Sequence, residues 1–188
     1  MKHTPTKLPD VLLLTPRVFE DSRGFFYESH NHRSFVEMVK QEIVFVQDNH
    51  SCSIRGVLRG LHFQRYPHDQ GKLVRCIRGA IWDVAVDLRP NSPTLGQWTA
   101  HELSARDHQQ LWIPTGFAHG FLVLSEEAEV LYKITRYWSP QYEVTIAWND
   151  PTLNIEWPLD GFLSLSEKDQ KNARSFIESQ PMRTVFSA

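Results

Sequence analysis

Several side chains in this 188-residue sequence are of types that move protons or hold anions. His62 closes the run Gly56-Val57-Leu58-Arg59-Gly60-Leu61-His62. An imidazole titrates ordinarily near ~6.5, so it can accept and release protons around neutrality. Arg59 carries a planar fork of donors that suits phosphate oxygens. Side chains alternate along a uniform strand, so positions 59 and 62 would face opposite sides. Both enter one pocket only if the segment bends or bulges near Gly60. Without that bend the run is a strand with one exposed arginine and one hydrogen-bonded histidine.

Lys72 opens the segment Lys72-Leu73-Val74. There it is either a solvated edge residue or, if it points inward, a buried cation. Asp83 is a lone acid inside the apolar run Ala80 to Val86. A buried carboxylate is costly unless paired, and either Lys72 or another cation would serve. Pro114-Thr115-Gly116-Phe117-Ala118-His119-Gly120-Phe121 resembles the second motif of the cupins, small β-barrels in which this histidine can ligate a metal. The first cupin motif needs two closely spaced histidines and a later glutamate. Here the matching stretch is His62-Phe63-Gln64, so the ligand set is depleted and the expectation is no metal.

Tyr132 and Trp138 share one strand face if the strand is regular that far. They then look into a cavity or fill a core. Asp169 lies three residues after Ser166, so it can belong to a helix N-terminus. It can equally hold a histidine in one tautomer through a ring N–H.

Short segments of β type must position these groups. Residues 11–16, 42–51, 72–79, 80–88, 97–104, 108–114, 118–125, 129–139 and 144–150 are rich in β-branched and aromatic residues. Turn residues separate them at 89–93, 114–116, 125–127 and 149–151. Helical spacing of Phe35, Met38 and Val39 predicts one short helix over 31–41, and Ser166 starts another. The expected architecture is an all-β barrel or sandwich with a few short helices, one of them C-terminal. Residues 1–188 are expected to form one domain, with the tail from about 180 disordered.

Composition agrees: 41% hydrophobic and 22% charged residues, with a formal net charge of −2. No basic field is available for nucleic acid. The N-terminal apolar run is too short for a signal-peptide core and no stretch could span a membrane, so the expected location is the cytoplasm. Cys52 and Cys76 make no metal or redox spacing and are expected to be two buried, reduced thiols. Neither a dinucleotide fingerprint nor a phosphate-binding P-loop occurs.

Taken together, Asp21-Ser22-Arg23-Gly24-Phe25-Phe26, Gln47-Asp48-Asn49-His50-Ser51, the 56–62 run, Gln70-Gly71-Lys72-Leu73-Val74, Trp112 to Phe121 and Tyr132-Lys133 resemble the dTDP-4-dehydrorhamnose 3,5-epimerase family. The resemblance spans about residues 17 to 170. It implies a cupin jelly roll, a homodimer, a dTDP-sugar substrate and no cofactor. The implied reaction inverts C3 and C5 of dTDP-4-dehydro-6-deoxy-D-glucose, giving dTDP-4-dehydro-L-rhamnose for dTDP-L-rhamnose biosynthesis. It implies His62 as general base, Asp169 as the group orienting it, Tyr132 as general acid and Lys72 as the cation at the developing C4 oxyanion. Arg23, Glu28, Gln47, Asn49, Arg59, His119, Glu143 and Lys168 match positions that contact nucleotide or sugar. Asp48 lies within the same binding run, and Phe25 has the flat ring a thymine would stack on. Trp138 stands where the family often has tyrosine, so it keeps a flat face and loses a hydroxyl.

The chemistry needs these types. A C4 ketone acidifies the hydrogens on C3 and C5, and proton removal leaves charge on O4. A cation aimed there contributes about 3 kcal/mol. Inversion requires a base on one face and an acid on the other, each contributing about 100- to 10,000-fold. Other readings are a C3-only or C5-only epimerase, a metal-dependent cupin enzyme, or a non-catalytic sugar-nucleotide-binding module. Residues 11–14 are expected to be an edge strand that pairs with a second subunit.

Overall fold

The computed structural model describes residues 1–180. In chain order its elements are β1 (Lys2–Pro5), β2 (Leu12–Thr15), β3 (Phe19–Asp21), β4 (Gly24–Phe26), α1 (His32–Val39), β5 (Gln47–Ile54), β6 (Leu58–Gln64), β7 (Lys72–Arg78), β8 (Ala80–Asp87), β9 (Trp98–Ser104), β10 (Gln110–Ile113), β11 (Phe117–Val123), β12 (Glu127–Ile134), β13 (Glu143–Thr145), α2 (Glu167–Lys171) and α3 (Phe176–Ser179). The strands make a six-stranded sheet in the order β1-β2-β10-β7-β12-β5 and a five-stranded sheet in the order β13-β6-β11-β8-β9. Hairpin β3–β4 stands apart from both. Sequence neighbours repeatedly sit in different sheets, as in a jelly roll. The expectation of a disordered tail falls outside the described residues, apart from Gln180.

Period-two alternation explains the interior. Val74 and Cys76 of β7, Leu111 of β10 and Val130 of β12 face Ile81 and Ala85 of β8 and Phe117 and Phe121 of β11 in one buried cluster. Full burial of each large apolar side chain contributes about 1.5–3 kcal/mol. The same alternation turns Lys72, Asp83, His119 and Tyr132 inward, because each lies two residues from a core member. Lys72 is therefore buried, 7% exposed, and is not a solvated edge residue.

The bend expected near Gly60 is present. His119 pairs with His62 while Phe121 pairs with Arg59, so β6 carries one residue more than β11 across this interval. Such a bulge re-aims side chains, and here it puts residues 59 and 62 on the same side. Gly60 adopts φ +115°, and a Cβ there would meet the Cα of Gly120 at 2.6 Å and the carbonyl oxygen of His119 at 2.7 Å. Only glycine fits this crossing.

Some boundaries differ from the sequence reading. Residues 42–46 form no strand, because Ile43 and Phe45 pack with Phe35 and Met38 of α1 over Leu14, Leu73 and Trp112. Strand β12 ends at Ile134, so Trp138 is not placed by strand alternation. Residues 12–15 are not an edge, since β2 is paired with β1 on one side and β10 on the other. Cys52 is exposed, because its strand position faces outward, whereas Cys76 is buried. Among the described residues, no helix is long and apolar enough to cross a membrane.

Candidate active site

A cavity of about 340 Å³ opens between the two sheets, lined by Ser51, Arg59, His62, Lys72, His119, Phe121, Tyr132, Trp138, Glu143, Ser166, Lys168 and Asp169. Nine of the fifteen residues singled out in the sequence are among them. Its two walls come from different sheets. Arg59 and His62 on β6 and His119 on β11 belong to the five-stranded sheet, while Lys72 on β7 and Tyr132 on β12 belong to the six-stranded one.

His62 is held from behind. Its Nε2 lies 2.6 Å from Oδ1 of Asp169. A carboxylate only accepts, so Nε2 carries the hydrogen and Nδ1 keeps a lone pair. Asp169 is itself fixed in α2, where its backbone N–H donates to the Ser166 hydroxyl at 3.1 Å. Ser166 is thus the cap of α2, and the Asp169 carboxylate is used to hold the histidine. Burial pushes the Asp169 carboxyl up, but the hydrogen bond and charge of His62, with Ser166 and Lys168 adding to them, hold it below the ordinary range. The aspartate stays ionised as a counter-charge for an imidazolium.

Lys72 donates from Nζ to the backbone carbonyl of His62 at 3.2 Å. Burial pulls its pKa down to about 8, with Glu143 and Asp83 favouring the charged form. Burial also raises the Tyr132 phenol above its ordinary value, although Arg59 opposes this. Tyr132 is therefore a protonated donor at neutral pH. Asp83 is bonded to His119, its Oδ1 2.7 Å from Nε2, and not to Lys72. At the rim, Lys168 pairs with Glu143 at 2.7 Å, and the Trp138 indole N–H donates to the same carboxylate at 3.1 Å.

The likeness to known proteins is close. The family model for dTDP-4-dehydrorhamnose 3,5-epimerase matches residues 5–176. The chain belongs to the dTDP-4-dehydrorhamnose 3,5-epimerase family. It is 58% identical over 171 residues to the epimerase of Pseudomonas aeruginosa, covering 91% of this chain and 94% of that one. The dTDP-6-deoxy-D-glucose-3,5-epimerase of Legionella pneumophila, solved with dTDP-4-keto-L-rhamnose, superposes with a TM-score of 0.92 at 44% identity, covering 95% and 94% of the two chains. A 3'-monoepimerase from Streptomyces bikiniensis, solved with dTDP-quinovose, superposes at 0.86 with 32% identity, covering 92% and 87%. The chain is thus an isomerase with the cupin-type jelly roll of the 3,5-epimerases.

Six predicted residues of this epimerase do not line the cavity. Gln47 and Asn49 continue the face of β5 that carries Ser51. Gln47 donates to the Asn49 side-chain oxygen at 2.8 Å and accepts from the backbone N–H of Trp138 at 3.4 Å. Asp48 points to the opposite face, where Lys133 pairs with it at 2.9 Å. Alternation forbids positions 47, 48 and 49 from sharing one surface. Arg23 and Phe25 project from hairpin β3–β4, where Arg23 pairs with Asp21 and the Phe25 ring packs against His108 at 4.5 Å. Glu28 is exposed and accepts from Asn31 at 3.0 Å.

Three lining residues escaped sequence reasoning: Ser51, Phe121 and Ser166. Alternation from Asn49 would have found Ser51, and alternation from His119 would have found Phe121. Ser166 carries only a cap signal in the sequence, and it does cap α2.

Proposed function

We propose that this epimerase inverts C3 and C5 of dTDP-4-dehydro-6-deoxy-D-glucose by proton transfers across the gap between its two sheets. The observation that carries the reading is the placement of His62 and Tyr132 on opposite walls of one cavity. Nδ1 of His62 takes the hydrogen from the carbon beside the ketone, and the imidazolium so formed is stabilised by Asp169. Negative charge moves to O4, where the buried Lys72 ammonium meets it. Tyr132 then delivers its proton to the same carbon from the other face, completing inversion. Repetition at the second carbon needs only that Tyr132 be reprotonated and His62 deprotonated. Arg59, bonded through Nε and Nη2 to Ser53, keeps Nη1 available for a diphosphate oxygen.

The whole chain acts as one catalytic unit, and it does so as a homodimer. Phe19, Phe25 and Phe26 on hairpin β3–β4 are 50%, 61% and 69% exposed, an apolar surface that a second copy would cover. Arg23, Phe25 and Glu28 then serve the cavity of the partner instead of their own. Mixing Arg23→Ala with His62→Asn subunits tests this, since shared sites regain part of the activity and self-contained sites do not.

The test of the reaction is NMR of the sugar nucleotide with the protein in deuterated water. Deuterium at both C3 and C5 supports the 3,5-epimerase reading. Deuterium at one carbon moves the chain to the mono-epimerases, and none overturns the reading.

A further inference from the structure

The mechanism above leaves Asp83 unused. It occupies an inward position of β8 between Ile81 and Ala85 and has no solvent exposure. Its Oδ1 is bonded to Nε2 of His119 at 2.7 Å, while its Oδ2, also buried, has no hydrogen-bond partner among the described residues. The ladder fixes this pair. Asp83 stands opposite Phe121 and Ala85 stands opposite His119, so residues 83 and 119 are diagonal neighbours on the inner face. An orphaned buried acceptor opposes folding. The carboxylate therefore detracts from folding while constraining one side chain of the cavity.

The constraint is chemical. Asp83 is an acceptor, so Nε2 of His119 must carry a hydrogen. Burial, the largest influence, disfavours a second proton on the ring, and the nearby Lys72 ammonium adds to it, against the pull of Asp83. His119 lines the cavity, and its Nδ1 makes no hydrogen bond to the described residues. We propose that Asp83 is a positioning residue that fixes His119 in the Nε2–H tautomer, so that Nδ1 presents a lone pair and His119 accepts a hydrogen bond from a hydroxyl of the sugar. His119 is then not a donor to the C4 oxygen, which is left to Lys72. This rests on the epimerase reading for its substrate, but the tautomer exists without substrate.

The first measurement is therefore made on the free wild-type protein. With 15N-labelled imidazoles, long-range 1H–15N correlations distinguish the two neutral tautomers and the cation. The His119 signals are identified among nine histidines by their loss in His119→Gln. The expected result is a neutral ring protonated at Nε2 near pH 7. An imidazolium, or a ring protonated at Nδ1, overturns the proposal. The second measurement is Asp83→Asn, whose neutral amide can donate or accept and so no longer selects a tautomer. It is expected to mix the tautomers and to raise KM about tenfold, the worth of one hydrogen bond, with kcat within about threefold. A merely structural role would lower thermal stability and leave the tautomer alone. Asp83→Asn with an unchanged tautomer and unchanged KM also overturns it. Should the wild type show no C3 or C5 exchange, the epimerase reading fails, whereas a wrong tautomer in an active enzyme fails this inference alone.

Discussion

Asp169 and His62 are 107 residues apart in the chain and 2.6 Å apart in space, carboxylate to imidazole N–H. The pair joins the first turn of α2 to the bulged strand β6 and gives the ring both an orientation and a counter-charge. His62→Asn should abolish deuterium incorporation at C3 and C5. Asp169→Asn should keep the fold and lower kcat about 100-fold or more, because the ring loses its enforced tautomer. Exchange by NMR with a thermal melt on the same samples checks both.

Tyr132→Phe separates acid from base. His62 can still remove a proton, and solvent can return a deuteron to the same face. Deuterium incorporation should therefore persist while inversion falls about 100-fold or more. Equal loss of exchange and inversion would mean that Tyr132 does more than deliver a proton.

Lys72 carries a pH signature. Its folded pKa is about 8 against an ordinary 10.5, because burial disfavours the ammonium. The cation at O4 is then lost as pH rises through about 8, so kcat should fall on an alkaline limb there. Lys72→Met should lower kcat and erase that limb. Stability moves the opposite way. Between about 8 and 10.5 the unfolded chain holds this proton and the folded chain has released it, so folding becomes more favourable as pH rises. Urea melts across that window should show this rise in the wild type and a flatter profile in Lys72→Met.

Gly60→Ala tests the bulge. The added Cβ meets backbone at 2.6 and 2.7 Å, at a φ of +115° that other residues avoid. Strain of this kind costs about 1–3 kcal/mol before the contact is counted. The melting temperature should drop by several degrees, and kcat should fall in the folded fraction because Arg59 and His62 no longer share a side. A variant with wild-type melting and turnover would show that the crossing tolerates a side chain.

Asp87 gives a contrast remote from the cavity. Arg89, Ser92 and Thr94 all donate to it, and these bonds overcome burial to hold its pKa at about 2. Its stabilisation is present above the ordinary carboxylate range and is lost as pH falls through about 2. Asp87→Ala should therefore cost about 1–3 kcal/mol of stability near neutrality, because Ser92 and Thr94 lose their acceptor and Arg89 keeps only Asp10, and leave KM unchanged. Denaturant melts at pH 7 and pH 3 measure the loss and its shrinkage.

Alternating apolar residues and turn signals are local properties, so the β architecture is legible along the chain. The sequence by itself also determined α1 and α2, since Asn31 and Ser166 cap them through neighbours three residues away. The residue types at 62, 72, 132 and 169 already matched proton transfer beside a carbonyl. Tertiary structure decided what local rules cannot reach. Inward orientation of Lys72 depends on which face of β7 meets β8 and β11. The Asp83 partner is set by register between β8 and β11, and Trp138 reaches the cavity through a loop after β12 has ended. The hairpin bearing Arg23 and Phe25 lies off the cavity of its own chain. Each of these is a long-range relationship, fixed by burial and ladder register between segments far apart in sequence, and composition or spacing within one segment carries no information about it.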